Sequence, residues 1–271
     1  MNMKFMINDY ILIWNLLFDA SINEEIHRLK NNIWLNHKKE YNQLYKEKNL
    51  ILEDPKNYIP NNDTVFNIVA DTKEFNKIKF PIEKYRVQVL KIWDENKKIV
   101  NNYIDNILKF NLDDYNVFCI YDKNSKIEVE KNSITLGQKV ENTQNFIVAL
   151  IYKIIKSKLS NYQQEYKEIV QVILELAILN EFSTRIKGYS TYHLGDNTTK
   201  YLKRQIYPIW LMYLGVPKEQ MKDYMVRDKI LFEVEKYIYE EELKKLNLYE
   251  FIDFCIKHQR NIININQLEV I

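Results

Sequence analysis

Ile169-Val170-Gln171-Val172-Ile173-Leu174-Glu175-Leu176-Ala177-Ile178-Leu179 is apolar on nearly every face of a helix, so it reads as a rod through a core rather than a helix lying on one. The rod belongs to a helix expected over 163–187. Around it the pattern predicts further helices at roughly 143–159, 198–214, 217–225, 227–246 and 248–258, with the short gaps typical of packed helices, which makes the C-terminal half a helical bundle. Glu175 is difficult to keep in water at such a position. A carboxylate there either has its pKa raised by desolvation or is held ionised by a cation or several donors. Gln171 lies one turn earlier and Glu168 one turn before that, so the three define a polar stripe on an otherwise apolar rod. A structural ion pair and an acid–base group are both open readings of Glu175, since both perturb a carboxylate.

Outward from the rod, Tyr115 to Tyr121, the alternating Lys126 to Glu130 and Ser133-Ile134-Thr135-Leu136-Gly137 read as short strands, with Lys123-Asn124-Ser125 as a turn. Nearer the N-terminus, Ile22, Ile26, Leu29, Ile33 and Leu44 recur at helical intervals behind a Ser21/Glu24 capping box, so 22–48 reads as one long amphipathic helix. The Tyr10-Ile11-Leu12-Ile13-Trp14 run reads as a helix and not a leader, because Asp9, Asn15 and Asp19 interrupt it and no small-x-small site follows. Pro55, Pro60 and Asn61-Asn62-Asp63 break the chain, and Val65 to Ala70 reads as a short strand. Pro81, at a first-turn position, opens a helix carried to about Phe110 by Val87, Leu90, Ile99, Tyr103, Ile107 and Leu108. The expected fold is a predominantly α-helical α+β protein with a small central β-sheet and a C-terminal helical bundle. Residues 1–60 are expected as an N-terminal helical region and 61–271 as the main domain.

Composition narrows the function classes. The 271 residues are 46% hydrophobic, enough to bury a full core. Lys and Arg number 39 against 37 Asp and Glu, for a net charge of +2 with the signs interspersed, so nothing favours a nucleic acid. The longest apolar-looking run, Ile206 to Val216, contains Pro208 and falls short of the ~20 residues of a spanning helix. A soluble, cytoplasmic protein is expected. Cys119 and Cys255 fit a reducing compartment as two buried thiols. The four histidines have no metal-ligand spacing, and Gly137, Gly188, Gly195 and Gly215 are too dispersed for a nucleotide loop, so neither metal nor cofactor is expected. Gly-x-Ser-x-Gly is absent, and Glu233-x-Glu235 lies in a helical segment where an acidic strand pair would be needed.

The segment where a site is best placed is the polar island Arg185 to Arg204, which follows the rod. Glu181 and Arg185 are four apart in the orientation that pairs. Beyond them comes a loop with two glycines, two tyrosines, His193 and Asp196, and its composition is that of a ligand loop or of an inter-helix connection with glycines at positive φ and Asp196 or Asn197 as cap. Lys200, Arg204 and Tyr207 share one face of the next helix, with Lys203 beside them, so an anion near that helix's N-terminal side meets amides and cations together. Lys203 and Arg204 read equally as a solvated face opposite Leu202, Ile206, Ile209 and Trp210. The candidate binding residues are Arg185, Tyr189, Tyr192, Lys200, Arg204 and Tyr207. Were the protein an enzyme, Glu175 and His193 would be its acid–base pair, with Arg204 holding an anion.

A strand at 116–121, an edge-strand-like Ile134-Thr135-Leu136-Gly137, an apolar helix and a second helix bearing Asn180-Glu181 follow one another in an order that resembles the core of zincin-type metallopeptidases, over about a quarter of the chain. In those families the first helix carries His-Glu-x-x-His, two imidazoles one turn apart gripping zinc while the glutamate activates water. In the comparable window, 146–154, Ala149 and Lys153 replace the two ligands and Leu150 the base, leaving Glu181 to match the third ligand. The resemblance therefore implies a pseudo-peptidase that keeps the scaffold as a binding surface. The functional expectation is a non-enzymatic interaction or regulatory protein that takes a protein partner or a small anionic ligand. The alternative is a hydrolase or transferase working through Glu175, His193 and Arg204.

Overall fold

The computed structural model describes residues 1–18, 24–54, 57–121, 126–137, 140–162, 164–189, 199–216 and 240–262. The described residues form a predominantly α-helical α+β fold with a small mixed sheet. They fall into two compact units, one built from Met1–Lys97 with Asp113–Ile147, the other from Lys98–Leu112 with Val148–Ile271. Residues 1–60 and 61–97 thus belong to the same unit. No helix among the described residues is long and apolar enough to cross a membrane.

The first unit holds the sheet, in the order β1 (Met3–Met6), β2 (Tyr115–Cys119), β4 (Ser133–Leu136), β3 (Ile127–Glu130). β1 pairs parallel with β2, Met3 opposite Tyr115, and β2 pairs parallel with β4, Asn116 opposite Ser133. β3 runs antiparallel to β4, Ile127 opposite Leu136. Strand β4 is buried throughout and β2 nearly so, as interior strands in parallel pairs require. The expected edge position of Ile134-Thr135-Leu136 is therefore corrected: β4 is interior, and β1 and β3 are the edges. The sequence reading missed β1, whose four residues are too short for a resolvable alternation.

Its described helices are α1 (Asp9–Phe18), α2 (Glu24–Asn36), α3 (Lys38–Lys46), α4 (Lys48–Glu53), α5 (Thr64–Ala70), the first part of α6 (Lys73–Asn102) and the first turn of α7 (Thr143–Lys158). The single helix expected over 22–48 is broken after Asn36. Ile33 and Leu44 are buried while Trp34 and Leu35 are exposed, so nothing apolar holds a straight rod across the gap, and the break lets Leu44 turn inward. Ser21 lies outside the described residues. The strand expected over Val65–Ala70 is a helix, because Val65, Phe66 and Val69 are buried at helical spacing, with Asn62 Oδ1 accepting from the Thr64 N–H at 2.9 Å.

Pro81 does not open its helix. It sits inside α6, whose start is fixed by Thr72 Oγ1 accepting from the Phe75 N–H at 3.2 Å. The buried stripe Phe75, Ile78, Ile82, Tyr85, Val89, Ile92 and Trp93 outweighs the one backbone bond that proline forfeits, and it leaves Val87 and Ile99 exposed. The Asn61 region is pinned rather than free. Buried Glu47 accepts from Asn61 Nδ2 at 2.9 Å and from the Tyr58 hydroxyl, whose pKa is raised by burial and by that carboxylate.

The second unit is the helical bundle. Helix α6 ends in a π-helical turn, Tyr103–Leu108, stopped by Lys109 in the left-handed region. Its other described elements are the later part of α7 (Thr143–Lys158), a 3-10 turn at Gln164–Tyr166, α8 (Lys167–Leu174), α9 (Ser183–Lys187), α10 (Lys200–Tyr213), α11 (Glu240–Leu243), α12 (Leu248–Lys257) and α13 (Gln259–Ile262). The regular helix expected over 163–187 is interrupted: Glu175–Phe182, between α8 and α9, is π-helical. Pro208, Ile209 and Trp210 pack inward within α10 while Tyr207 stays half-buried, and Gly215, at φ 80°, ends it. Asn247 and Glu250 cap α12 reciprocally. The helix expected at 217–225, most of that at 227–246, the Lys123-Asn124-Ser125 turn and Glu233-x-Glu235 lie outside the described residues.

Each unit carries one buried cysteine, Cys119 in β2 and Cys255 in α12. Burial pushes the Cys119 thiol up to about 12 and raises Cys255 as well. Neither offers a thiolate near neutrality. Labelling by a thiol reagent at pH 8 should therefore be more than about a hundredfold slower in the native chain than in denaturant, and should report separately on the opening of each unit. Native labelling as fast as in denaturant would contradict this packing.

Candidate functional site

The rod places Glu175 where the sequence put it, inside. Its side chain is 5% exposed and faces the fully buried Lys203 on α10. Lys203 Nζ donates to Glu175 Oε2 at 3.4 Å and to Asn180 Oδ1 at 3.3 Å. The other carboxylate oxygen accepts from Gln171 Nε2 at 2.8 Å, and the same amide donates to the Tyr152 hydroxyl at 2.7 Å. Four segments of the second unit are thus joined by one polar network: α7, α8, the π segment and α10. Burial holds the Lys203 ammonium below its ordinary range, with Glu175 offsetting part of the effect. Burial also raises the Tyr152 phenol, a shift the Glu175 charge adds to and the Gln171 bond opposes.

The π segment is tied to the end of α6. Its wider i→i+5 spacing shifts each carbonyl to a later donor, and a side chain adds a further bond. The Tyr103 hydroxyl, itself in the π turn of α6, donates to Ala177 O at 2.6 Å. Burial is the main reason the Tyr103 phenol lies well above its usual value. Arg185 pairs with Glu181 as the spacing predicts, at 2.7 Å, and its guanidinium lies 5.7 Å from the Tyr103 ring centre. The Arg185 charge is spoken for at the end of the rod, and the Glu175 network does not include it.

The remaining candidates separate by depth. Glu168 is exposed and Gln171 half-buried, so the polar stripe deepens along the rod to Glu175. Tyr189 is exposed beside Gly188, which ends α9 at φ 73°. On α10, Arg204 is exposed and Lys200 and Tyr207 are half-buried on that same outer face. Lys203, read with Arg204 as a solvated face, is corrected: it points inward. Buried Thr199, Ile206, Trp210 and Tyr213 form a stripe at i, i+3 and i+4 that passes through position 203, so the sequence did carry the signal. Tyr192 and His193 lie outside the described residues.

At the positions where the zincin resemblance would place ligands, Ala149 and Lys153 are exposed on α7, Leu150 is buried, and Glu181 is engaged by Arg185. Among the described residues no three His, Cys, Asp or Glu side chains gather as a metal site. In comparison with known proteins, no family model, curated protein or solved structure matches this chain.

Chemically, the arrangement is a neutralised internal pair rather than an open acid. Removing one partner strands the other charge, so Lys203→Met should destabilise the protein by about 3–5 kcal/mol in chemical denaturation, and adding Glu175→Gln should recover most of that. Additive losses in the double variant would disprove the coupling. Because the folded pKa of Lys203 is lowered, the unfolded chain binds its proton more tightly, and native stability rises with pH from that lowered value up to 10.5. Stability profiles of wild type and Lys203→Met should differ by this alkaline rise; parallel profiles would contradict it.

Proposed function

We propose that the chain is a non-enzymatic interaction or regulatory protein, working in the cytoplasm on a degenerate peptidase-like scaffold. One observation carries this reading: both oxygens of Glu175 are taken, by Gln171 and by the fully buried Lys203. A general acid or base must reach its substrate, and this carboxylate faces a lysine instead. The scaffold part is supported by element order, a mixed sheet with an antiparallel edge strand followed by apolar α7 and then the helix bearing Asn180-Glu181. What faces outward near the end of the rod and on α10 is aromatic and cationic: Tyr189, Lys200, Arg204 and Tyr207. Such groups suit a protein surface or a small anion.

Two experiments test the two parts. For the scaffold, Ala149→His with Lys153→His should raise zinc affinity at least about a hundredfold over wild type, with Glu181→Gln removing the gain; no gain counts against a zincin-like arrangement. For the function, partners captured by the wild-type chain should be lost with Tyr189→Ala/Arg204→Ala and kept with Glu175→Gln/Lys203→Met. Turnover of peptide or ester substrates that Glu175→Gln abolishes at unchanged stability would overturn the reading in favour of a hydrolase.

A further inference from the structure

Helix α1 buries Ile11 through Leu17 without a gap, and Asn15 is the one polar residue among those seven. Its side chain lines a cavity of about 20 Å³ in the first unit, between α1, α4 and the sheet. Neither Asn15 Nδ2 nor Asn15 Oδ1 meets a hydrogen-bond partner, although the residue is only 2% exposed. Thr135 of β4 lines the same cavity, 8% exposed, and its hydroxyl is likewise unpartnered. Ile51, Leu52 and Ile120 supply apolar wall. Lys48 and Glu128, also on the lining, are both engaged in ion pairs, Lys48 with Glu130 at 3.1 Å and with Glu128 at 3.7 Å, and Glu128 with Lys126 at 3.0 Å.

We infer that this cavity is a binding site for one ordered water, held by the Asn15 amide and the Thr135 hydroxyl. Size and chemistry argue together. The volume is that of a single water and far below that of a drug-sized ligand. A buried water needs two to four polar partners, and the amide nitrogen, the amide oxygen and the hydroxyl supply three. An asparagine left wholly unsatisfied would be strongly disfavoured at a position where leucine would fill the space. The water accepts from the amide N–H and donates to the two oxygens, and it thereby ties α1 to β4.

The wild-type chain tests this directly by water–protein nuclear Overhauser spectroscopy. The Asn15 side-chain amide protons should show cross-peaks to a long-lived water, and their absence overturns the inference. Asn15→Leu, Thr135→Val and the double variant provide an independent reading through the labelling rate of Cys119, which reports opening of the same unit. With a bridging water, each single variant labels faster than wild type, and the double variant labels at least about threefold slower than the product of the single effects. If both single variants label more slowly than wild type and their effects multiply, the polar groups were simply orphaned and the water site is wrong.

Discussion

The bundle depends on one constraint: a carboxylate placed in the middle of an apolar helix has to be compensated from outside that helix. Leu174 and Leu176 flank Glu175 in sequence, and both are buried. No cation within the rod reaches it, so α10 must present Lys203 at the matching height and α8 must turn Gln171 toward it. A pair of this kind adds little net stability over an apolar replacement, because desolvation consumes most of the Coulomb gain. Its effect is on arrangement. Slipping α10 by one residue against the rod would bury Lys203 without a carboxylate and Glu175 without a cation, so the pair penalises wrong registers more than it rewards the right one.

Around this pair, the second unit resolves its other conflicts with the same economy of donors. The π segment at Glu175–Phe182 and the π turn at Tyr103–Leu108 both depart from the regular helical ladder, and one hydrogen bond, from the Tyr103 hydroxyl to Ala177 O, joins them. Tyr213 likewise meets the end of α6, its single hydroxyl proton shared between the carbonyls of Ile107 and Leu108 at 3.0 and 3.1 Å. Buried tyrosines are therefore structural donors here, and those with raised phenols are protonated because burial keeps them so. Tyr103 and Tyr213 thus belong to the core, whereas Tyr189 is exposed and Tyr207 half-buried.

The first unit rests on a different device. Its sheet is short, four strands of four or five residues, and the unit's helices bury apolar side chains such as Leu12, Leu16 and Val69. Polar contacts then tie α4 to the sheet: Ser133 Oγ of interior β4 donates to Leu52 O at 2.8 Å, and Lys48 bridges Glu128 and Glu130 along edge strand β3. Charged side chains on an exposed edge discourage pairing with another chain. Both devices place α4 against the last two strands.

Much of this was legible in the sequence where periodicity was strong. The rod, the strands at 115–119, 127–130 and 133–136, α7 and the core role of Ile209 and Trp210 follow from apolar runs and their spacing, because buried faces demand them. Short or mixed segments were not legible. Val65–Ala70 has alternating hydrophobicity compatible with either period, and the neighbours of Val65 and Val69 decided for a helix. Pro81 carries a local preference for a helix start that a buried stripe on both sides of it overrode. For the candidate site, the sequence determined that Glu175 would be buried, needing either a partner or a raised pKa, and that Glu181 would meet Arg185, since these follow from the apolar rod and from distance along a helix. Only the tertiary structure decided that Lys203, and not a group in the glycine-bearing loop, supplies the compensating charge. The choice among several nearby cations depends on the rotation of α10 about its axis, which the packing of Ile206, Trp210 and Tyr213 sets and no local rule fixes.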